Sequence, residues 1–178
     1  MDKRIFLEPN RYGYKIKMNI FSEEKGFEKE ILKDINDILK SLNSRNIMLF
    51  LTGDSDKKYV QYAINNYQDG LSGFYHLSNW NLLEDDMLNY RDIRAVYFEN
   101  SFNWQLYRDT IAKKKFINYY RRINFQPWIL QLEIYEENHE TEIIIQKNQK
   151  ELVLSLLKCV QKNGYEICTK EQKILNDL

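Results

Sequence analysis

Glycine, proline, cysteine and histidine are all scarce in this sequence. Its 178 residues include six glycines, two prolines, two cysteines and two histidines. So few glycines, mostly isolated, cannot build a phosphate-binding loop, and neither GxxxxGK[ST] nor GxGxxG occurs. Cys159 and Cys168 are too few for the disulfide framework of a secreted protein and have no zinc-ligand spacing. Since no linker composition is present either, we expect one globular domain over residues 1–178, without cofactor or metal.

An excess of charge of one sign and a long apolar run are also lacking. Lys+Arg and Asp+Glu number 26 each, so the chain has no global attraction to nucleic acid or to a membrane surface. The longest clean apolar run, Ile47–Leu51, is far too short to cross a bilayer. Residues 1–14 lack the apolar central region of a signal peptide. We therefore expect a cytoplasmic protein that does not act at a membrane.

Alternation and helical spacing predict the main regular elements. Residues 12–20 place an apolar side chain at every second position, which is typical of a half-buried strand. Residues 23–43 have apolar side chains at helical spacing and predict an amphipathic helix capped by Ser22. Residues 149–163 predict a second helix, with a C-terminal stop at Asn163-Gly164.

Several short apolar stretches predict strands with hairpin-length connections. They are 46–52, 73–80, the pair 93–99 and 103–108, and the pair 128–136 and 141–146. Adjacent runs of strands framed by helices favour an α+β fold over alternating βαβ units. We expect an antiparallel β-sheet, as one curved sheet or two sheets, with the helices at about 23–43 and 149–163 packed on it.

The two histidines are the only conventional acid–base candidates near neutral pH. His76 lies in the aromatic stretch FYHLSNW, and His139 lies in the acidic stretch EENHE. A metal-independent ribonuclease would need both rings about a phosphate's width apart, beside a cation. The ordinary alternative is a hydrogen-bonded strand histidine and a solvated turn histidine.

Residues 108–122 form a strongly basic segment interleaved with aromatic residues. The segment contains only one acidic residue, Asp109. Its basic residues are Arg108, Lys113, Lys114, Lys115, Arg121 and Arg122. Such a segment can track a phosphate backbone and stack bases. The alternatives are contact with a protein, or a helix with a buried aromatic stripe and a solvated basic side.

Acidic residues are concentrated in two other places. One cluster, Glu84 to Asp86, lies in a predicted loop, and the other lies on the hairpin of residues 128–146 and comprises Glu133, Glu136, Glu137, Glu140 and Glu142. They are either solvated surface or carboxylates that replace phosphates in the basic cleft of another protein.

The segment IRAVYFENSFNWQLYRDT, residues 93–110, resembles strand-hairpin segments of small bacterial immunity proteins. Proteins of that kind neutralise a cognate polymorphic or contact-dependent toxin. The resemblance implies a cytoplasmic, non-enzymatic, single-domain α+β protein. Inhibitors of nuclease toxins are often clearly acidic, and this neutral chain departs from that pattern.

The sequence therefore predicts a non-catalytic protein that binds a cognate protein toxin, with a nuclease as the expected target, and blocks its active site or substrate path. Neither nucleic acid nor a small molecule is expected as a ligand. The alternatives are a nucleic-acid-binding protein or metal-independent ribonuclease that uses residues 108–122 with His76 and His139, and a subunit of a larger assembly. The predicted contact residues are Glu84, Asp85, Asp86, Arg108, Arg121, Arg122, Glu133, Glu136, Glu137 and Glu140.

Overall fold

A computed structural model describes residues 3–19, 21–22, 26–27, 29–42, 46–52, 70–71, 74–77, 92–101, 128–135 and 140–178. The helices in this part are α1 (Lys29–Ser41), α2 (Lys150–Lys162) and α3 (Gln172–Asp177). The strands are β1 (Arg4–Asn10), β2 (Gly13–Asn19), β3 (Phe21–Ser22), β4 (Gly26–Phe27), β5 (Asn46–Thr52), β6 (Gly70–Leu71), β7 (Phe74–Leu77), β8 (Asp92–Phe98), β9 (Trp128–Tyr135), β10 (Glu140–Gln146) and β11 (Glu166–Thr169).

Nine of the described strands form one sheet in the order β11-β1-β2-β10-β9-β8-β5-β7-β6, and β3 pairs with β4 apart from it. Neighbouring strands are antiparallel, except that β11 runs parallel to β1. The predicted α+β class is confirmed, with a mixed sheet in place of a wholly antiparallel one. The β1–β2 hairpin lies between β10 and β11, which both come from the last third of the chain.

One face of the sheet forms the core with α1 and α2. Successive side chains of a strand point to opposite faces, so one parity of each strand faces the helices. Ile16, at the centre of β2, lies opposite Leu7 of β1 and Ile143 of β10, and Ile143 lies opposite Leu132 of β9. All four are at most 1% exposed. The helices contribute their apolar stripes to the same cluster: Ile31, Leu32, Ile35 and Leu39 from α1, and Leu152, Val153, Leu156, Leu157, Cys159 and Val160 from α2.

Helix α1 begins at Lys29 and not at residue 23 as predicted. Two short stretches before it, Phe21–Ser22 and Gly26–Phe27, pair as β3 and β4, with Phe21 opposite Phe27. Gly26 lies in β4, and glycine is a poor helix former, so the pairing competes well with an additional helical turn. Ser22 is therefore a strand residue and does not cap α1.

Helix α2 matches its predicted bounds to within one residue at each end and stops as expected. Gly164 has a φ of +82°, which favours glycine. The Gly164 N–H donates to the Gln161 carbonyl at 2.9 Å, and the Tyr165 N–H donates to the Val160 carbonyl at 3.0 Å. These two bonds satisfy the last helical carbonyls in a Schellman motif, and they turn the chain toward β11.

The predicted hairpin of residues 128–136 and 141–146 is confirmed as β9–β10. The predicted pairing of 93–99 with 103–108 is wrong, because β8 has β5 along one edge and β9 along the other. A strand has only two hydrogen-bonding edges. Residues 102–108 themselves lie outside the described part.

Close backbone contact joins the β1–β2 turn to the end of β10. Gly13 has a φ of +153°, and a Cβ there would lie 2.4 Å from the Lys147 nitrogen. The Lys147 N–H donates to the Tyr12 carbonyl at 2.9 Å. The Tyr12 ring packs edge-on against Trp128, with centroids 5.3 Å apart. With its amide oriented to satisfy both partners, Gln146 donates to the Tyr12 carbonyl and accepts from Trp128 Nε1, each at 3.2 Å.

Candidate functional site

The face of the sheet opposite the helices is covered in one part and open in another. Along one cross-strand row, Lys15 lies opposite Ile144, Ile144 opposite Gln131, and Gln131 opposite Val96. Gln131 is 2% exposed and Val96 is fully buried, whereas Lys15 and Ile144 are half-buried. The opening thus lies over β1, β2 and β10. We call this area the charged face, and it consists of Arg4, Phe6, Glu8, Lys15, Lys17, Asn19, Glu140 and Glu142.

Lysines on β2 bridge carboxylates on the two strands beside it. Lys15 Nζ lies 3.2 Å from Glu8 and 3.9 Å from Glu142, and Lys17 Nζ lies 3.3 Å from Glu142 and is also paired with Glu140. The register causes this arrangement, because Lys15 is directly opposite Glu8 and Lys17 directly opposite Glu142. Opposite charges at facing positions stabilise an antiparallel pair, each by a fraction of a kcal/mol.

The ion pairs also affect the titration of their members. The hydrogen bond to Glu140, followed by that to Glu142, raises the pKa of Lys17 above its usual value, against the opposing effect of burial. The ammonium group is therefore held charged, and the pattern of alternating charges is fixed on a rigid sheet.

A groove of about 420 Å³ runs across one end of the charged face. Phe6 lies in it and is 39% exposed, as one of the two exposed large apolar side chains in the described part of the chain. The residues around Phe6 are Arg4, Glu8, Lys17, Met18, Asn19, Glu140 and Lys170. The groove therefore combines an aromatic ring with charged groups of both signs.

A second polar cluster ties the end of α2 to α1. Asp34 Oδ2 accepts from Asn163 Nδ2 at 2.9 Å and lies 3.1 Å from Lys162 Nζ. These two hydrogen bonds lower the pKa of Asp34, and the bond from Asn163 has the larger effect. Asn163 Nδ2 also donates to the Cys159 carbonyl at 2.9 Å, within the last turn of α2. The cluster fixes the packing of the two helices.

Two of the predicted contact residues lie on described strands. Glu140 is on the charged face, ion-paired with Lys17, and Glu133 of β9 lies directly opposite Glu142. Their role in partner binding stays a prediction. The others lie outside the described residues: Glu84, Asp85, Asp86, Arg108, Arg121, Arg122, Glu136 and Glu137.

The histidine hypothesis is not tested by the structure. His76 lies on β7 opposite Met48, and His139 lies outside the described residues. Among the residues that are described, no group of three or more His, Cys, Asp or Glu side chains could hold a metal ion. None of the described helices is both long enough and apolar enough to cross a membrane.

Sequence reasoning missed Arg4, Phe6, Lys17 and Lys170 as parts of one surface. The sequence did contain a related pattern, because two strands carry charged side chains at every second, outward-facing position. Lys15 and Lys17 alternate with the apolar residues of β2, and Glu140 and Glu142 alternate with those of β10. Complementary outward charges are compatible with pairing of these two strands, but they do not by themselves select which strands become neighbours.

Comparisons of the chain with protein-family models, with curated proteins and with solved structures found no match.

Proposed function

We propose that this chain is a non-catalytic protein-binding protein, and most concretely a bacterial immunity protein that neutralises a cognate toxin. It would bind the toxin in the cytoplasm and cover its active site or substrate path. A nuclease is the target class that we propose, because several glutamates lie on or near the β9–β10 hairpin and carboxylates can take the positions of phosphates.

The observation that carries this proposal is the charged face. It is an open area of sheet in which ammonium and carboxylate groups alternate in a fixed register around an exposed aromatic ring. Protein interfaces commonly place an aromatic anchor at the centre of a polar rim. Charges that are already held in position need little additional ordering upon binding, which lowers the entropic cost of association.

The same pattern supports selectivity for one partner. A surface with alternating charges attracts the complementary surface and repels one whose charges are shifted by a strand spacing. An immunity protein requires such discrimination, because it must recognise its own toxin among related ones. The helices lie on the other side of the sheet, so they support the face without competing for contact.

The test is co-expression of the full chain with the product of the gene adjacent to its own. We expect rescue of growth if that product is toxic, and a 1:1 complex by size-exclusion chromatography and native mass spectrometry. Failure of the wild-type chain to form any complex with that product would refute the proposal.

A matched pair of variants tests the location of the interface. Phe6 and Leu175 are both large apolar side chains with 39% exposure, and Leu175 is on α3 and does not line the groove that contains Phe6. Phe6→Asp should weaken the complex by at least about tenfold, which is typical for an interface anchor. Leu175→Asp should leave it unchanged. An equal effect of both variants would place the interface elsewhere.

A further inference from the structure

We infer that two copies of this chain associate through strand β11, paired antiparallel across a twofold axis, so that their two large sheets become one. This inference goes beyond the proposed function and does not depend on it. The partner at the β11 edge is thus a second copy of the chain, and residues 166–170 of both copies form the contact.

The outer edge of β11 carries unpaired backbone groups. Strand β11 is the first strand in the order of the large sheet, and β1 lies along its inner edge. The Glu166 N–H donates to the Lys3 carbonyl at 2.7 Å, so the backbone groups of Glu166 point toward β1. Because this direction alternates along a strand, the backbone groups of Ile167 and Thr169 point to the outer edge. No strand in the described part of the chain pairs with that edge, and such an edge accepts another strand readily.

The end of the chain does not run along this edge. After Lys170 the chain turns, and the Glu171 N–H donates to Thr169 Oγ1 at 3.1 Å. Helix α3 then contacts β1, and its Ile174 is part of the core. The described residues that follow β11 therefore pack inward and leave its outer edge accessible.

The edge is self-complementary in charge. Glu166 and Lys170 lie at the two ends of β11, both are exposed, and neither forms an ion pair within the part of the chain that the structure describes. Arg4, which is in register with Glu166 on β1, is already engaged within the chain. When two copies of β11 pair antiparallel about Cys168, Glu166 of each copy lies opposite Lys170 of the other. Opposite charges at facing positions favour an antiparallel pair.

The same register satisfies the backbone. It places Ile167 opposite Thr169 of the other copy, and both have outward backbone groups, so each such pair exchanges two N–H···O bonds. A register shifted by two residues also joins outward groups, but it separates Glu166 from Lys170. The charges therefore select the register centred on Cys168. The pairing also covers Ile167, which packs against the core but is only half-buried in one copy.

The pairing joins the charged faces of the two copies. Cys168 is in register with Phe6 on β1, and Lys170 lines the groove that contains Phe6. The outward side chains of β11 thus lie on the same side of the sheet as the charged face. Each copy keeps its own face, so a dimer would bind one partner per chain and retain the 1:1 stoichiometry. The interface is isologous and closed, as twofold dimers are.

The first experiment measures the mass of the full chain by sedimentation equilibrium. The pairing is short, so we expect a dissociation constant of roughly 10–100 μM and passage from monomer to dimer across that range. Glu166→Lys and Lys170→Glu each create like charges at both facing positions, and each alone should weaken the dimer by about tenfold or more. Lys158→Glu makes the same charge change on an exposed lysine of α2 and should leave the dimer unchanged.

The decisive measurement uses an equimolar mixture of the two weakened variants, with one of them labelled with ¹⁵N. In a mixed dimer, positions 166 and 170 are both basic in one copy and both acidic in the other, so both facing pairs are again attractive. The mixture should recover the dimer, and native mass spectrometry should show mixed species. A register shifted by two residues predicts neither the weakening nor the recovery.

Cys168 supplies an independent probe of the register. At the centre of the pairing the two Cys168 residues face each other without a backbone bond between them, which places their Cα atoms about 4.5 Å apart. This distance lies within the range of about 4.4–6.8 Å that a disulfide requires. Mild oxidation with copper–phenanthroline should therefore yield a covalent dimer linked through Cys168, as mapped by mass spectrometry. Cys168→Ser should abolish it, and Cys159, which is buried, should not contribute.

The inference is overturned if the wild type stays monomeric up to about 500 μM, if the two charge variants dimerise as the wild type does, or if their mixture does not recover the dimer. Failure to form the Cys168 disulfide, or a dimer linked through Cys159, would also overturn it. A monomeric chain that still forms the toxin complex refutes this inference alone. A dimer that forms no complex with the toxin refutes the proposed function alone.

Discussion

Replacement of Gly13 by alanine should destabilise the protein strongly, and far more than replacement of Gly164. Gly13 has a φ of +153°, and a Cβ there would lie 2.4 Å from the Lys147 nitrogen and 2.6 Å from the Ile145 carbonyl oxygen. Both atoms belong to the backbone, so no side-chain rotation relieves the clash. Gly164 also has a positive φ, of +82°, but its nearest neighbour would be the Lys3 side chain at 3.9 Å.

The expected loss of stability in the Gly13→Ala variant is the sum of two contributions. A backbone conformation that L-residues rarely adopt costs about 1–3 kcal/mol. Separation of β2 from the end of β10 would also lose the bond from Lys147 to the Tyr12 carbonyl, a further ~1 kcal/mol. We expect a loss of about 3 kcal/mol for Gly13→Ala, and about 1 kcal/mol for Gly164→Ala, where only the conformational cost applies. For a chain of 178 residues, 3 kcal/mol corresponds to a decrease in Tm of about 6–12 °C.

The assay is urea and thermal unfolding of both variants beside the wild type, followed by circular dichroism. Near-ultraviolet spectra should also change for Gly13→Ala, since Trp128 packs against Tyr12 at this contact. If Gly13→Ala is no less stable than Gly164→Ala, the close approach of the two strands is incorrect and this reasoning is refuted.

Three further predictions concern buried and titrating groups. Thr141 is 1% exposed, and its hydroxyl has no hydrogen-bond partner within the described part of the chain. Thr141→Val should therefore raise the free energy of unfolding by about 1 kcal/mol. A destabilised variant would contradict this. The lowered pKa of Asp34 stabilises the fold above the carboxyl's unfolded value of about 4, and this contribution is lost as pH falls through the folded pKa. The Tm difference between wild type and Asp34→Asn should therefore shrink from pH 6 toward ~pH 2, and a constant difference would argue against the Asn163 contact. Burial raises the pKa of Cys159 to about 11. Iodoacetamide at ~pH 8 should therefore alkylate Cys168 first and reach Cys159 only on unfolding, as followed by mass spectrometry. Rapid labelling of Cys159 in the folded protein would contradict the burial of its thiol.

Sequence periodicity correctly predicted those helices and strands whose buried face follows a regular spacing of apolar residues. The alternation in β2 and the apolar stripe of α2 are confirmed because the residues that create them also bury one face. Strand β1 was missed because Ile5, Phe6 and Leu7 are consecutive apolar residues that hide the alternation, although Phe6 faces outward. Pro9 also argues against a strand, but the β11 ladder ends at Leu7, so no bond on that edge requires its N–H.

The charged face could not be derived from local patterns, because its pairing is between distant parts of the chain. Lys17 and Glu142 meet only because β2 and β10 are neighbours in the sheet. Period-two patterns state which side of a strand is buried, but not which strand lies beside it. The exposed cations of the groove, Arg4 and Lys170, come from strand and loop positions with no shared pattern, and only the fold brings them together.

The pairing of β2 with β10 has a kinetic consequence. The β1–β2 and β9–β10 hairpins are local and can form early, but their union requires closure of the long intervening chain, which is slow. One hairpin presents Lys15 and Lys17 at the meeting edge, and the other presents Glu140 and Glu142. Their attraction acts over about 10 Å at moderate ionic strength and would guide the two hairpins into register. Added salt should therefore slow refolding of the protein more than it hastens unfolding.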